Sequence, residues 1–138
     1  MTDLQEKIGS YFKSREEVVA IYLYGSHASG KERHYSDVDV GIVLRHRFLQ
    51  QAFELQSQYM TGLGRLLRKE VHTVVLNTAG ELLLKQVFSK GIVICINDED
   101  AFRRFRMNRY AMISDFGYYL KMTQSGFRRK IIEEGHHG

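Results

Sequence analysis

The chain has 138 residues, enough for one domain with a real core and little room for two. Hydrophobic residues make up 43% and charged residues 26%, which excludes a disordered chain, and the lone Cys95 excludes an internal disulfide or a cysteine-based zinc site. The net charge of +4, with a sequence pI of about 9.2, suits an anionic partner or substrate without requiring one.

No apolar run approaches the roughly 18–20 residues that a membrane span needs. The opening "MTDLQEKIGSYF" carries charges where a signal peptide needs an apolar region, so a cytoplasmic protein is expected. Residues 3–14 place Leu4, Ile8, Tyr11 and Phe12 on one stripe and predict an amphipathic helix. "VVAIYLYG" (18–25) is a short β-rich run closed by glycine, and "DVDVGIVL" (37–44) alternates before turning continuously apolar; both predict strands. Residues 47–69 have helical spacing at Phe48, Ala52, Leu55, Tyr59, Leu63 and Leu66. A third strand is expected at "EVHTVVLN" (70–77), then a helix over 79–91 capped by Gly91. "IVICIN" (92–97) gives a fourth strand, in which Cys95 is expected to be a buried, inert thiol.

Asn97 or Asp98 then caps a long helix over about 98–124, with Phe102, Phe105, Ile113, Phe116 and Leu120 facing inward. The order α, β, β, α, β, α, β, α shows no repeat and no linker, so residues 1–138 are expected to form a single domain. "FRRFRMNRY" (102–110) and "FRRK" (127–130) concentrate positive charge, either as solvated helix faces or as an anion-binding or docking surface. The tail 133–138, "EEGHHG", is expected to be mobile, and its two histidines are a weak metal binder or, the better reading, without a role.

One stretch carries the chemistry: "AIYLYGSHASGKERHYSDVDVGIVL", residues 20–44. Gly25, Gly30 and Lys31 fit a phosphate-binding P-loop, but Glu32 stands where that loop has Ser or Thr. A P-loop lysine opens a crossover helix, which needs about 10–12 residues. Only Glu32 to Ser36 separate Lys31 from Asp37, so no such helix fits. A different use suits the same residues. Gly25 permits a tight turn and close approach of a ligand, and Ser26 follows with free amides and a hydroxyl at the start of a short helical turn. Asp37 and Asp39 share one face of the returning strand, roughly 6.6 Å apart along it by the strand rise. Two carboxylates beside a phosphate cradle can hold Mg²⁺ against a triphosphate. Asp-x-Asp alone is common at turns and strand edges; the whole unit is far more specific.

That unit, Gly25-Ser26, ten residues, then Asp37-Val38-Asp39, resembles the signature of the minimal nucleotidyltransferases of the DNA polymerase beta superfamily. Ala28, Gly30 and Ser36 match further positions, and a weaker likeness runs through residues 71–94 to the C-terminal helix. In length and layout the chain is similar to the antitoxin partners of HEPN-domain ribonuclease toxins. The resemblance implies an α/β (α+β) fold, a mixed four-stranded sheet flanked by helices. It implies transfer of AMP from ATP, with Mg²⁺ or Mn²⁺, onto a hydroxyl of the toxin, in such pairs a tyrosine. Gly25 and Ser26 would hold the triphosphate; Asp37 and Asp39 would hold the metals.

The family also carries a third carboxylate on the next strand, and here His72 stands at that place, in "VHTVVLN" (71–77). Imidazole is a poorer Mg²⁺ ligand than an oxyanion and suits softer metals, yet it can act as a base near neutral pH. His72 is thus a substitute base or ligand, the mark of a site that binds nucleotide but transfers slowly or not at all, or a strand histidine with no role. Glu70 lies two residues earlier on the same face. Three functions follow: an active transferase; a non-catalytic module that neutralises its partner by contact, docking through Phe116, Tyr118, Tyr119 and Phe127; and nucleic-acid end modification. The last ranks lowest, since the arginines match no recognised motif and no nucleic-acid domain fits. A homo-oligomer is compatible with all three.

Overall fold

The structure is a computed structural model that describes residues 1–29 and 37–125. The expectations for Gly30, Lys31, Glu32 and Ser36, for the side chains of Phe116, Tyr118, Tyr119 and Leu120, and for residues 126–138 lie outside the described residues. The chain divides into two compact units, Met1–Arg103 and Arg104–Gly138.

The first unit holds the sheet. Its elements are α1 (Asp3–Phe12), β1 (Val18–Tyr24), α2 (Ser26–Ser29), β2 (Val38–Leu44), α3 (Ala52–Leu67), β3 (Val71–Val75), α4 (Glu81–Lys90) and β4 (Ile92–Ile96), followed by the start of α5 (Glu99–Ser125). Four strands lie in the order β3-β2-β1-β4. β1 runs antiparallel to both β2 and β4, while β2 and β3 are parallel, joined through α3. The sheet is therefore mixed and flanked by helices, as the resemblance implied. The antiparallel β1–β2 pair also rules out a P-loop crossover between these strands.

β1 and β2 are the two central strands, and both are almost wholly buried. That explains their continuous apolar runs, since neither face meets water. On one face Ile21, Leu23, Val38, Val40 and Ile42 pack with Ile8 and Phe12 of α1 and Tyr59 and Leu63 of α3. On the other, Tyr22 meets the rings of Phe88 and Phe102, each at 5.9 Å between centroids. Helix α1 starts at a reciprocal cap: the Gln5 amide donates to Thr2 Oγ1 (3.1 Å) and the Thr2 amide to Gln5 Oε1 (3.4 Å). It ends earlier than the spacing suggests, because Ser14 turns left-handed at φ 66°.

Two local expectations are corrected, and the cap expected at Gly91 is found there. A 3₁₀ turn, His46–Gln51, precedes α3, so Phe48 lies outside that helix. Leu66 is exposed and Leu67 packs on the core instead, following the 3.6-residue drift of the buried stripe. Gly91 closes α4 without a left-handed turn, at φ −78°; its glycine is required because a Cβ would collide with the Val87 carbonyl. Asp98 caps α5, accepting from the Ala101 amide at 3.0 Å. Asn97 instead bridges two elements. Its Nδ2 donates to the carbonyls of Phe12 (3.0 Å) and Val18 (3.2 Å), and its Oδ1 accepts from the Ser14 amide (3.2 Å). It thereby ties the α1–β1 turn to the end of β4. Cys95 is half-buried, and burial pushes its thiol pKa up, in keeping with an inert group.

In the second unit, α5 carries Arg106 bonded to Tyr110 Oη at 2.9 Å and Arg109 over the Phe105 ring at 5.8 Å. Among the described residues, no helix is long and apolar enough to cross a membrane.

Candidate functional site

The candidate site begins where β1 ends. Apolar β1 delivers Tyr24 and Gly25 to one end of the sheet, and Gly25 turns the chain with φ +77°, a region that L side chains rarely adopt. Ser26 then opens the four-residue α2, and the Ala28 amide closes the turn on the Gly25 carbonyl at 3.1 Å. Tyr24 pairs with Asp39 of β2. This pairing brings the Asp39 carboxylate against Gly25: a Cβ there would sit on Oδ2 and 3.3 Å from Cγ. Gly25, Ser26 and Asp39 are thus neighbours in space although Gly25 and Asp39 lie fourteen positions apart in the sequence.

The parallel β2–β3 pair completes the site. Its register sets Val38 beside Val71 and Asp39 beside His72. Where the two strands begin, the Val38 amide donates to the Glu70 carbonyl at 2.9 Å. Side chains alternate along strands, so Asp37 and Asp39 on one and Glu70 and His72 on the other project from the same face. Val38, Val40, Val71 and Val75 point the opposite way, into the α1–α3 core. The three carboxylates converge on the imidazole: His72 Nε2 lies 3.2 Å from Glu70 Oε2 and 3.8 Å from Asp37 Oδ2, and Nδ1 lies 3.5 Å from Asp39 Oδ1. Asp37, Glu70 and His72 each offer one donor atom within 4.8 Å of the others. Two oxyanions and an imidazole form a donor set that fits a divalent cation.

The electrostatics follow from this crowding. Burial pushes the Asp39 carboxyl pKa up, with Asp37 adding to the rise and His72 and His27 opposing it. The Tyr24 hydroxyl is pushed up to about 12, by burial first and then by the charge of Asp39. His72 is raised above its ordinary value, first by its hydrogen bond to Glu70 and further by Asp37 and Asp39. A raised folded-state value means that protonated His72 adds stability below about pH 6.5, which is lost as pH rises through the folded-state pKa. The ring is half-exposed, so solvent screens this contribution. NMR titration of the metal-free protein is expected to place His72 above about 6.5, and Glu70→Gln to lower it. A value at or below that of a free histidine would contradict these contacts.

Every site position read from the sequence among the described residues (Gly25, Ser26, Asp37, Asp39 and His72) lies at this one end of the sheet. Sequence reasoning gave Glu70 little weight, although the period of two in "EVH" already put it on the His72 face. Tyr24 and His27 were not singled out. Tyr24 stands beside Asp39 only because β1 and β2 pair antiparallel, and His27 acts on the same carboxyl from α2, contacts that no spacing in the sequence states.

Comparison with known proteins adds the following. The model of the family described as "Polymerase beta, Nucleotidyltransferase" matches residues 6–100. Among curated proteins, none matches this chain in sequence. A chain from the crystal structure of a toxin–antitoxin with AMP-PNP is similar over 94% of this chain and 96% of its own, at 21% identity and a TM-score of 0.59. A chain of a mutant MntA–HpeT toxin–antitoxin is similar over 97% and 98%, at 19% identity and a TM-score of 0.60. A third comes from a tri-AMPylated Shewanella oneidensis HEPN toxin in complex with MNT antitoxin, over 95% and 94%, at 20% identity and a TM-score of 0.53. At such identities the likeness establishes the fold.

Proposed function

The chain belongs to the polymerase beta nucleotidyltransferase family, and from that premise we propose that it is a cytoplasmic antitoxin module that binds nucleotide, transfers AMP poorly, and neutralises a HEPN-type toxin by contact. The observation that carries this reading is His72. It occupies the place across from Asp39 where the resemblance calls for a third carboxylate. The similar solved chains come from toxin–antitoxin complexes, one with AMP-PNP and one with a HEPN toxin, which supports both the nucleotide and the partner.

Gly25 and Ser26 would meet the triphosphate of ATP with backbone amides and a hydroxyl. Asp37 and Asp39 would hold Mg²⁺ or Mn²⁺, which when bound neutralises charge on the phosphates. Transfer would also require a base for the attacking hydroxyl, whose oxygen bonds the α-phosphorus as pyrophosphate leaves. A carboxylate stays ionised at neutral pH. His72, hydrogen-bonded to Glu70 and facing two more carboxylates, holds its proton more tightly than an ordinary histidine. A smaller fraction of such an imidazole is free to accept that proton, and imidazole is a poorer Mg²⁺ ligand than the carboxylate it replaces. Binding thus survives at this site while the transfer step is weakened.

The second reading is active AMP transfer, with His72 as the base. The closeness of Asp37 and Asp39 to the imidazole favours it. A substitution separates the two. With ATP and a co-purified HEPN-type partner, His72→Asp is expected to raise AMP transfer by roughly 10²-fold, the lower end of what a placed general base contributes. If His72 is the working base, the same change lowers transfer.

A further inference from the structure

Glu70 and His72 put an imidazole nitrogen and a further carboxylate beside Asp37 and Asp39 at this end of the sheet. We infer that Asp37, Glu70 and His72 form a site for a single borderline divalent ion of the Zn²⁺ or Co²⁺ class, bound without nucleotide and in preference to Mg²⁺. The inference rests on the reading of this face as the metal-binding end of a nucleotidyltransferase fold.

Three observations carry it. First, donor type: Mg²⁺ demands near-octahedral oxygen ligands and keeps several waters, whereas imidazole nitrogen favours later first-row metals. Second, spacing: donors around a tetrahedral ion at about 2.1 Å stand about 3.4 Å apart. The His72 Nε2 atom lies 3.2 Å from Glu70 Oε2 and 3.8 Å from Asp37 Oδ2, which brackets that value. Third, orientation: the other ring nitrogen, Nδ1, faces Asp39 Oδ1 at 3.5 Å. With an ion on Nε2, Asp39 would accept the Nδ1 proton, the arrangement that orients ligating histidines in metal sites. Asp39 is then a positioning residue for this ion. The β2–β3 register holds all four groups on one face, so little rearrangement is needed.

The test uses the full chain, stripped of metal, in a His136→Ala/His137→Ala background, because the paired tail histidines can themselves hold a transition metal. Co²⁺ is titrated alone and followed by its visible absorption, with Zn²⁺ and Mg²⁺ as competitors. The expected result is one Co²⁺ per chain with tetrahedral-type absorption, displaced by Zn²⁺ and left in place by a hundredfold excess of Mg²⁺. Glu70→Gln and His72→Ala each weaken Co²⁺ at least about tenfold, and His72→Asp shifts the preference toward Mg²⁺. Displacement of Co²⁺ by equimolar Mg²⁺, or unchanged Co²⁺ binding in Glu70→Gln, overturns the inference. Binding of a non-hydrolysable ATP analogue with Mg²⁺ is measured alongside. If that persists while the Co²⁺ site fails, the metal inference alone falls; if Co²⁺ binds and nucleotide does not, the functional reading falls.

Discussion

Gly25→Ala is expected to weaken metal-dependent nucleotide binding by roughly one to two orders of magnitude and leave the chain folded. Two effects act together. The left-handed backbone at φ +77° costs a non-glycine residue about 1–2 kcal/mol, a tolerable fraction of a stability of roughly 5–15 kcal/mol. The new methyl group also lands on Asp39 Oδ2. The carboxylate is the free end of a side chain, so it swings away, and the collision is relieved at the expense of the site. Losing one charged contact of this kind costs about 1.5–3 kcal/mol, roughly a 10- to 150-fold loss of affinity. Calorimetric titration with a non-hydrolysable ATP analogue reads the affinity, and circular dichroism confirms the fold. An unchanged affinity would separate Gly25 from the nucleotide and remove the reason for its conformation.

Tyr59→Ala carries the largest expected loss of stability, about 3–5 kcal/mol from the cavity alone. Tyr59 is fully buried on α3. Its ring meets Phe12 edge-on at 4.9 Å and Tyr11 at 6.4 Å, and Arg15 stacks on Tyr11 at 4.4 Å. Its hydroxyl donates to Glu17 Oε2 at 2.5 Å. Tyr59→Phe keeps the ring and removes only this bond, at about 1–3 kcal/mol, because the carboxylate loses its partner. Burial, and then the bond to Glu17, push the Tyr59 hydroxyl pKa far above the ordinary tyrosine range. The sign follows: this contribution is complete below about pH 10, where tyrosine in an unfolded chain titrates, and is lost as pH rises beyond it. Urea unfolding at pH 7 and pH 10.5 should show the wild type losing stability on the alkaline side, and Tyr59→Phe losing less. A Tyr59→Ala protein within 1 kcal/mol of wild type would contradict the packing described for α1 and α3.

Much of the architecture was legible because the central strands are buried on both faces. "VVAIYLY" and "VGIVL" are apolar runs too short for helices, one closed by glycine and the other leading into charged residues, so their type and ends follow. The order β3-β2-β1-β4 is not written in any local pattern, since pairing depends on contacts far apart in the chain; the resemblance implied only a mixed four-stranded sheet. The 3₁₀ turn before α3 was hidden because an apolar spacing does not distinguish it from a first helical turn, and no side-chain cap marks the boundary at Gln51. The left-handed end of α3 falls on Arg68, at φ 56°, a residue that gives no sign of it. At the site, Gly25, Asp37 and Asp39 were visible through spacing and family signature. The grouping of Glu70 and Asp39 around the two nitrogens of His72 needed the parallel β2–β3 register.

Contact neutralisation with weak transfer is tested most directly by the intact mass of the partner. The chain is co-expressed with the product of the neighbouring gene, as wild type and as Asp37→Asn/Asp39→Asn, and the partner's mass and co-purification are measured. The expected result is a partner that co-purifies with both proteins and carries no added mass. One or more AMP increments on the partner, present beside the wild type and absent beside the double variant, would contradict it and establish a working transferase despite His72.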